Sequence, residues 1–240
     1  MILEKLLIYE KDKALKYLTR DKLKYMGIIF PILRNTVEFI YSEKDGVFIR
    51  DVISNVYMLA LDNFEKSRKL LDSVSKINHI CLYNKDIAEY YHEKFVHKKY
   101  AINIQAVYKG LKKVNLNSPI LNIKPLTIEQ LNWLHIHNGH DLNYLAKRLE
   151  AGAIYGGYIN NDICCSIGIH ADGSIGMLVV LKNYRRQGYA IELERYLINT
   201  LIDRGHTPFS QIEYDNIASI CLHKKLGFEI SKDMLYRLID

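Results

Sequence analysis

Leu178-Val-Val-Leu-Lys-Asn-Tyr-Arg-Arg-Gln-Gly-Tyr-Ala190 reads as an apolar strand that runs into a basic, glycine-containing turn and opens an amphipathic helix. Val179 and Val180 favour a pleated, buried strand, whereas beyond Gly188 the apolar positions Ala190, Leu193, Leu197 and Leu201 recur at three- and four-residue spacing. The period therefore changes at the turn. The first N–H groups of a helix lack internal partners, and the helix dipole adds positive potential there. Backbone groups from Arg186 through Gln187, Gly188, Tyr189 and Ala190 to Ile191 are thus suited to donate to phosphate oxygens. Gly188 permits close approach, and Lys182, Arg185 and Arg186 add charge at the rim, arginine being able to bind phosphate through two parallel bonds.

Arg185-x-x-Gly188-x-Ala190, with Val180 on the preceding strand, resembles the signature of the GNAT superfamily of CoA-dependent N-acyltransferases. A second block, Asn216-Ile-Ala-Ser219-Ile-Cys-Leu-His223-Lys-Lys-Leu-Gly227-Phe228, resembles the segment that forms the other side of the CoA site in that family. The resemblance covers residues 120 to 240, and Asn138 to Leu149 is similar to a helix of the glycine N-acyltransferase branch. It implies an acyl-CoA ligand, acetyl-CoA as co-substrate, held by Leu178, Val179, Val180, the Arg185–Ala190 loop, Asn216 and Ser219. An amine is implied as the acceptor.

Acyl transfer from a thioester to an amine needs a deprotonated nucleophile, a polarised carbonyl and a proton for the leaving thiolate. The resemblance places a backbone N–H for the acyl oxygen on the strand around Leu178 to Val180. It also places a proton-donating tyrosine where this chain has His223, an imidazole able to give a proton but sensitive to pH near neutrality. Glycine acyltransferases resemble one another in a glutamate entering the strand, and Ser174 stands there instead. Glu213 is the expected base, with His170, Asp172, Tyr214 and solvent as alternatives; a surface ion pair is the structural alternative for Glu213, and a packing histidine for His223.

The 240 residues, 49% of them hydrophobic and 25% charged, describe an ordinary globular chain of one or two domains. The net charge of +6 is spread without a basic block, so no nucleic-acid partner is expected, and no apolar run is long enough to cross a bilayer. A cytoplasmic location is the default expectation. Cys81, Cys164, Cys165 and Cys221 lack metal-site spacing, and Cys164 and Cys165 are expected on opposite faces of a strand. His135, His137 and His140 read as a polar helix end, and no metal is expected.

From Ile120 onward the pattern gives a strand, two helices at 128–136 and 142–150, a meander at 153–158, 163–170 and 175–181, then helix 188–203, strand 208–214, helix 217–225 and a closing strand 229–238. The first half shows a helical segment at 11–18, strands at 37–41, 47–52 and 56–61, helix 64–74, strand 79–83, helix 87–95 and strand 100–108. This repeated order predicts a mixed-sheet α/β (α+β) protein of tandem GNAT-like domains: a degenerate domain at 1–118 and an acyltransferase domain at 119–240. The first-half turn at Asp62–Lys66 contains no glycine, so it is not expected to hold CoA. Lys109–Pro119 is the expected junction. The expected activity is transfer of acetyl from acetyl-CoA to a primary amine in a ternary complex; the alternative is a non-catalytic acyl-CoA-binding or sensing protein.

Overall fold

A computed structural model describes residues 2–110, 112–115 and 120–240. In chain order it forms α1 (Ile2–Leu18), α2 (Lys22–Leu33), β1 (Val37–Glu43), β2 (Gly46–Asp51), β3 (Val56–Leu61), α3 (Phe64–Asp72), β4 (His79–Leu82), α4 (Lys85–Phe95) and β5 (Lys99–Tyr108). There follow β6 (Asn122–Pro125), α5 (Leu131–Asn138), α6 (Leu142–Glu150), β7 (Ile154–Ile159), β8 (Asp162–Ile169), β9 (Ile175–Val180), α7 (Tyr189–Asp203), β10 (Phe209–Glu213), α8 (Ile217–Lys225) and β11 (Phe228–Ile239). The alternation of period read from the sequence therefore gives a mixed α/β architecture. α2 is the element the pattern missed: it is apolar all round and carries Gly27 and Pro31, so it shows no amphipathic stripe.

The described residues divide into two compact units. The first comprises the chain up to Ala106 with Gln211–Ile220 and Glu229–Asp240. Its strands run β1-β2-β3-β4-β11-β5. β1, β2 and β3 form an antiparallel meander, β3 pairs parallel with β4, and β11 runs antiparallel to β4 with Tyr236 opposite Leu82 and Leu238 opposite Ile80. The core of this unit gathers Phe48, Leu59, Leu71, Ile80, Leu82, Ile87 and Tyr91 with Tyr236 and Leu238.

The second unit comprises Val107–Ser210 and Cys221–Phe228. β6, β7, β8 and β9 form an antiparallel meander, and β10 pairs parallel with β9 at Ser210 opposite Ile175. α6 begins where Asp141 accepts from the N–H groups of Asn143 and Tyr144, a cap worth roughly 1 kcal/mol. It buries Leu145 and Leu149 against Leu126, Leu134, Ile154 and Met177.

Three expectations change. The last strand does not close the sheet of the second half; β11 lies between β4 and β5, because Tyr236 and Leu238 complete the apolar core of the first unit. The packing division accordingly differs from one at 118/119, since 211–220 and 229–240 go with the first unit. Within the expected junction, residues 111 and 116–119 lie outside the described residues. The cysteine pair changes too: with Gly157 opposite Cys165 and Tyr158 opposite Ile163, Cys164 is the extra residue of a bulge, and the two buried sulfurs lie 3.6 Å apart rather than on opposite faces.

Candidate functional site

β9 carries an irregularity that alternation cannot reveal. Gly168 pairs with Gly176 and Ser166 with Val179, so Met177 and Leu178 together oppose Ile167 alone. Met177 takes φ +54°, a left-handed conformation uncommon for a side-chain-bearing residue. Two features hold it: the Met177 side chain is buried in the Leu134–Leu145 core, and Asn138 Nδ2 donates to its carbonyl at 3.0 Å. On the other edge the pairing with β10 is confined to Ser210 and Ile175. Leu178, Val179 and Val180 are half-buried beyond this interrupted ladder, where backbone polar groups can meet a ligand.

The loop after β9 begins with a short 3-10 turn at Lys182–Tyr184. Arg185 Nε donates to Val180 O at 3.0 Å, tying the loop to the strand end. Gln187 Nε2 donates to Asn183 O at 3.2 Å, and Tyr189 Oη donates to Gln187 Oε1 at 3.0 Å. The side chains of Gln187 and Tyr189 thus brace the loop, while Arg186 is exposed. Arg186 and Gly188 both have positive φ, +62° and +90°, and turns with left-handed residues can bring successive N–H groups together towards an anion. No side chain caps α7 at Gly188, and the space a Cβ would enter there is open. These residues fit an anionic pyrophosphate: uncapped helix N–H groups, open approach and an exposed arginine.

The other expected residues are distributed differently. Asn216 Oδ1 accepts from Ser219 N at 3.1 Å, so this pair closes the start of α8 by itself; both belong to the first unit. Glu213 lies in that unit as well, on an exposed ion pair with Lys99 Nζ at 2.7 Å. Asp172 is buried and accepts from Ser174 N and Oγ. His170 Nδ1 lies 2.7 Å from Tyr144 Oη, and its ring covers Gly176, where a Cβ would come within 2.3 Å of Nε2. His135 Nδ1 bonds to the His140 carbonyl, and His137 packs on Trp133, at the helix end closed by Gly139.

His223, in the second unit, is only 3% exposed. Its Nε2 is 2.7 Å from Ser210 Oγ and 3.9 Å from Glu194 Oε1, and its ring meets Phe228 edge-on. The ring is enclosed, not presented at the loop. Glu194, on α7, is 1% exposed, its Oε2 has no hydrogen-bond partner among the described residues, and burial pushes its carboxyl up to about 8. Sequence reading passed over this residue, although Ala190, Glu194, Leu197 and Leu201 share one helical face and a carboxylate on an apolar stripe was there to be noticed.

Residues 154–237 match the model of the FR47-like protein family. A 101-residue stretch is 31% identical to an N-alpha-acetyltransferase MAK3 of Arabidopsis thaliana, covering 40% of this chain and 53% of that protein, so the chain spans about half the length of the curated relative it matches. Similar solved structures include a Drosophila protein (TM-score 0.64, 16% identity, 98% of this chain and 89% of that one). A GCN5-related N-acetyltransferase-like protein from Streptococcus suis gives 0.57 at 15% identity over 94% and 99%, and a GNAT-family acetyltransferase from Colwellia psychrerythraea 0.53 at 14% over 95% and 97%. The structural likenesses carry the fold. The family model and the curated relative each match part of the chain, and they are the ground for the functional reading.

Proposed function

We propose that this chain transfers an acyl group, acetyl, from acyl-CoA to a primary amine of a small molecule or peptide in a direct ternary complex. One observation carries the reading: α7 opens without a cap, behind a loop with positive φ values at Arg186 and Gly188, directly after the bulged strand β9. In this reading the N–H groups from Arg186 to Ile191 hold the pyrophosphate, with Lys182 and Arg186 adding charge and Arg185 holding the loop on Val180. Bound acyl-CoA supplies an activated thioester carbonyl. A backbone N–H on Leu178–Val180 polarises the acyl oxygen, aided by the fixed geometry that Asn138 imposes at Met177.

Proton handling follows from where the acids and bases stand. Glu213 is held by Lys99, and β9 carries no carboxylate, so the amine reacts as its free base after losing a proton to solvent, and the rate rises with pH towards the amine's own pKa. His223, expected as the acid for the departing thiolate, serves instead to seat α8 through Ser210, so in this reading the nitrogen of the tetrahedral adduct loses its extra proton to solvent and the expelled CoA thiolate takes one from solvent.

Thiol release from acetyl-CoA across a panel of small amines and peptide N-termini tests the proposal. Turnover with at least one amine, lost in Gly188→Glu, is the expected result. Tight acetyl-CoA binding with no release across the panel would instead establish the acyl-CoA-binding alternative, and absence of binding would remove both.

A further inference from the structure

The first unit contains a cavity of about 540 Å³ lined by Lys13, Lys16, Tyr17, Arg20, Tyr41, Glu43, Lys44, Asp45 and Lys66. Lys13, Lys16 and Tyr17 stand at i, i+3 and i+4 on α1, and Arg20 follows in the 3-10 turn at Thr19–Asp21, so cations and a tyrosine line one side of the concavity. The opposite wall comes from the end of β1 and its turn, Tyr41 to Asp45, and the floor from Lys66 in the first turn of α3. Four lysines and an arginine thus converge on one hollow lined by two carboxylates, with Asp62 paired to Arg20 beside it.

The two carboxylates act as fixtures. Glu43 holds Lys13 Nζ at 2.7 Å, and Asp45 holds Lys66 Nζ at 2.9 Å while accepting from Tyr41 Oη at 2.5 Å. The Tyr41 hydroxyl and the Lys66 ammonium keep the Asp45 carboxyl below its ordinary range, so it stays charged. Arg20 lies on the Tyr17 ring at 3.9 Å and reaches Asp62 at 3.4 Å. Lys16 and Lys44 have no hydrogen-bond or ion-pair partner among the described residues. The lysine stems and tyrosine rings supply apolar walls. Like charges gathered around a hollow repel one another, and a multiply charged anion relieves that repulsion.

We propose that this cavity binds a compact polyanion, a di- or triphosphate or a polycarboxylate. The fixed cations, Lys13, Lys66 and Arg20, form a preorganised rim, and Lys16 and Lys44 close on the anion. This site is independent of the acyl-CoA site and of the proposed transfer reaction. Its chemistry is that of side-chain cations, without the glycine-shaped backbone cradle at Gly188.

Calorimetry of the full chain with inorganic pyrophosphate and, separately, citrate tests it. The expected result is saturable binding of at least one probe, weakened roughly tenfold or more in Lys16→Ala/Lys44→Ala, weakened further by salt, and retained in Gly188→Glu. Which probe binds more tightly distinguishes phosphate from carboxylate chemistry. Because neither lysine holds an ion pair, the double variant should keep the wild-type circular dichroism and melting temperature; Lys16→Gln/Lys44→Gln repeats the test with the stems retained. Absence of binding of either probe, or affinity unchanged in both double variants, would overturn the proposal.

Discussion

After β3 the chain enters α3 through Asp62 and Asn63, and Asn63 accepts from Lys66 N, so the new helix is capped by its own side chain. After β9 it travels from Leu181 to Gly188, turns through two positive φ values, and starts α7 with no side-chain cap. Both are strand-to-helix steps. The difference shows what turns a connection into a binding site: the first satisfies its helix N-terminus locally, and the second leaves those donors for a ligand.

The most damaging way to break this contrast is Gly188→Glu. Its side chain would enter open space, but at φ +90° and with a carboxylate facing the phosphate approach. CoA affinity measured by calorimetry should fall by roughly 100-fold or more, while the fold loses about 1–2 kcal/mol in urea titration.

His223→Ala addresses whether the second unit's interior acts in chemistry or in packing. Removing a ring packed on Phe228 and bonded to Ser210 should cost roughly 2–4 kcal/mol in chemical denaturation, with kcat on the folded fraction changed little. A 10- to 1000-fold loss of kcat at unchanged affinity and stability would restore acid catalysis to this histidine.

Glu194 sharpens the same region through pH. Burial raises its carboxyl from 4.5 to about 8, so the folded chain keeps a proton that the unfolded chain releases at the lower value. The stability linked to that proton is whole below the unfolded value and falls as pH rises through the folded one, by at most about 1.4 kcal/mol per unit. Glu194→Gln should flatten the stability profile measured by denaturation between about pH 5 and 8.

The smallest effect is expected at the capped turn. Asn63→Ala should cost about 1 kcal/mol, read as a lowered urea midpoint, and leave CoA affinity unchanged.

Most elements were legible because their periods are clean: α6 spans Leu142–Glu150 and α8 Ile217–Lys225, as the pattern predicts. The anion loop was legible for the same reason, since Gly188 sits where strand period gives way to helix period. Three features were hidden by their dependence on distant partners. The bulge at Met177 requires Asn138 and a buried side chain, neither of which alters local alternation. β11 reads as a strand anywhere, and only the first unit's core decides its neighbours. Glu213 and His223 are reactive residue types whose roles depend on Lys99 and Ser210, positions remote in sequence.

The central claim is that the uncapped start of α7, and not the capped start of α3, receives the acyl-CoA pyrophosphate. Amide hydrogen exchange of the full chain with and without CoA measures it directly. Protection should appear across Arg186–Ile191 and be absent across Asp62–Lys66; protection at Asp62–Lys66 without comparable protection at Arg186–Ile191 would contradict the account.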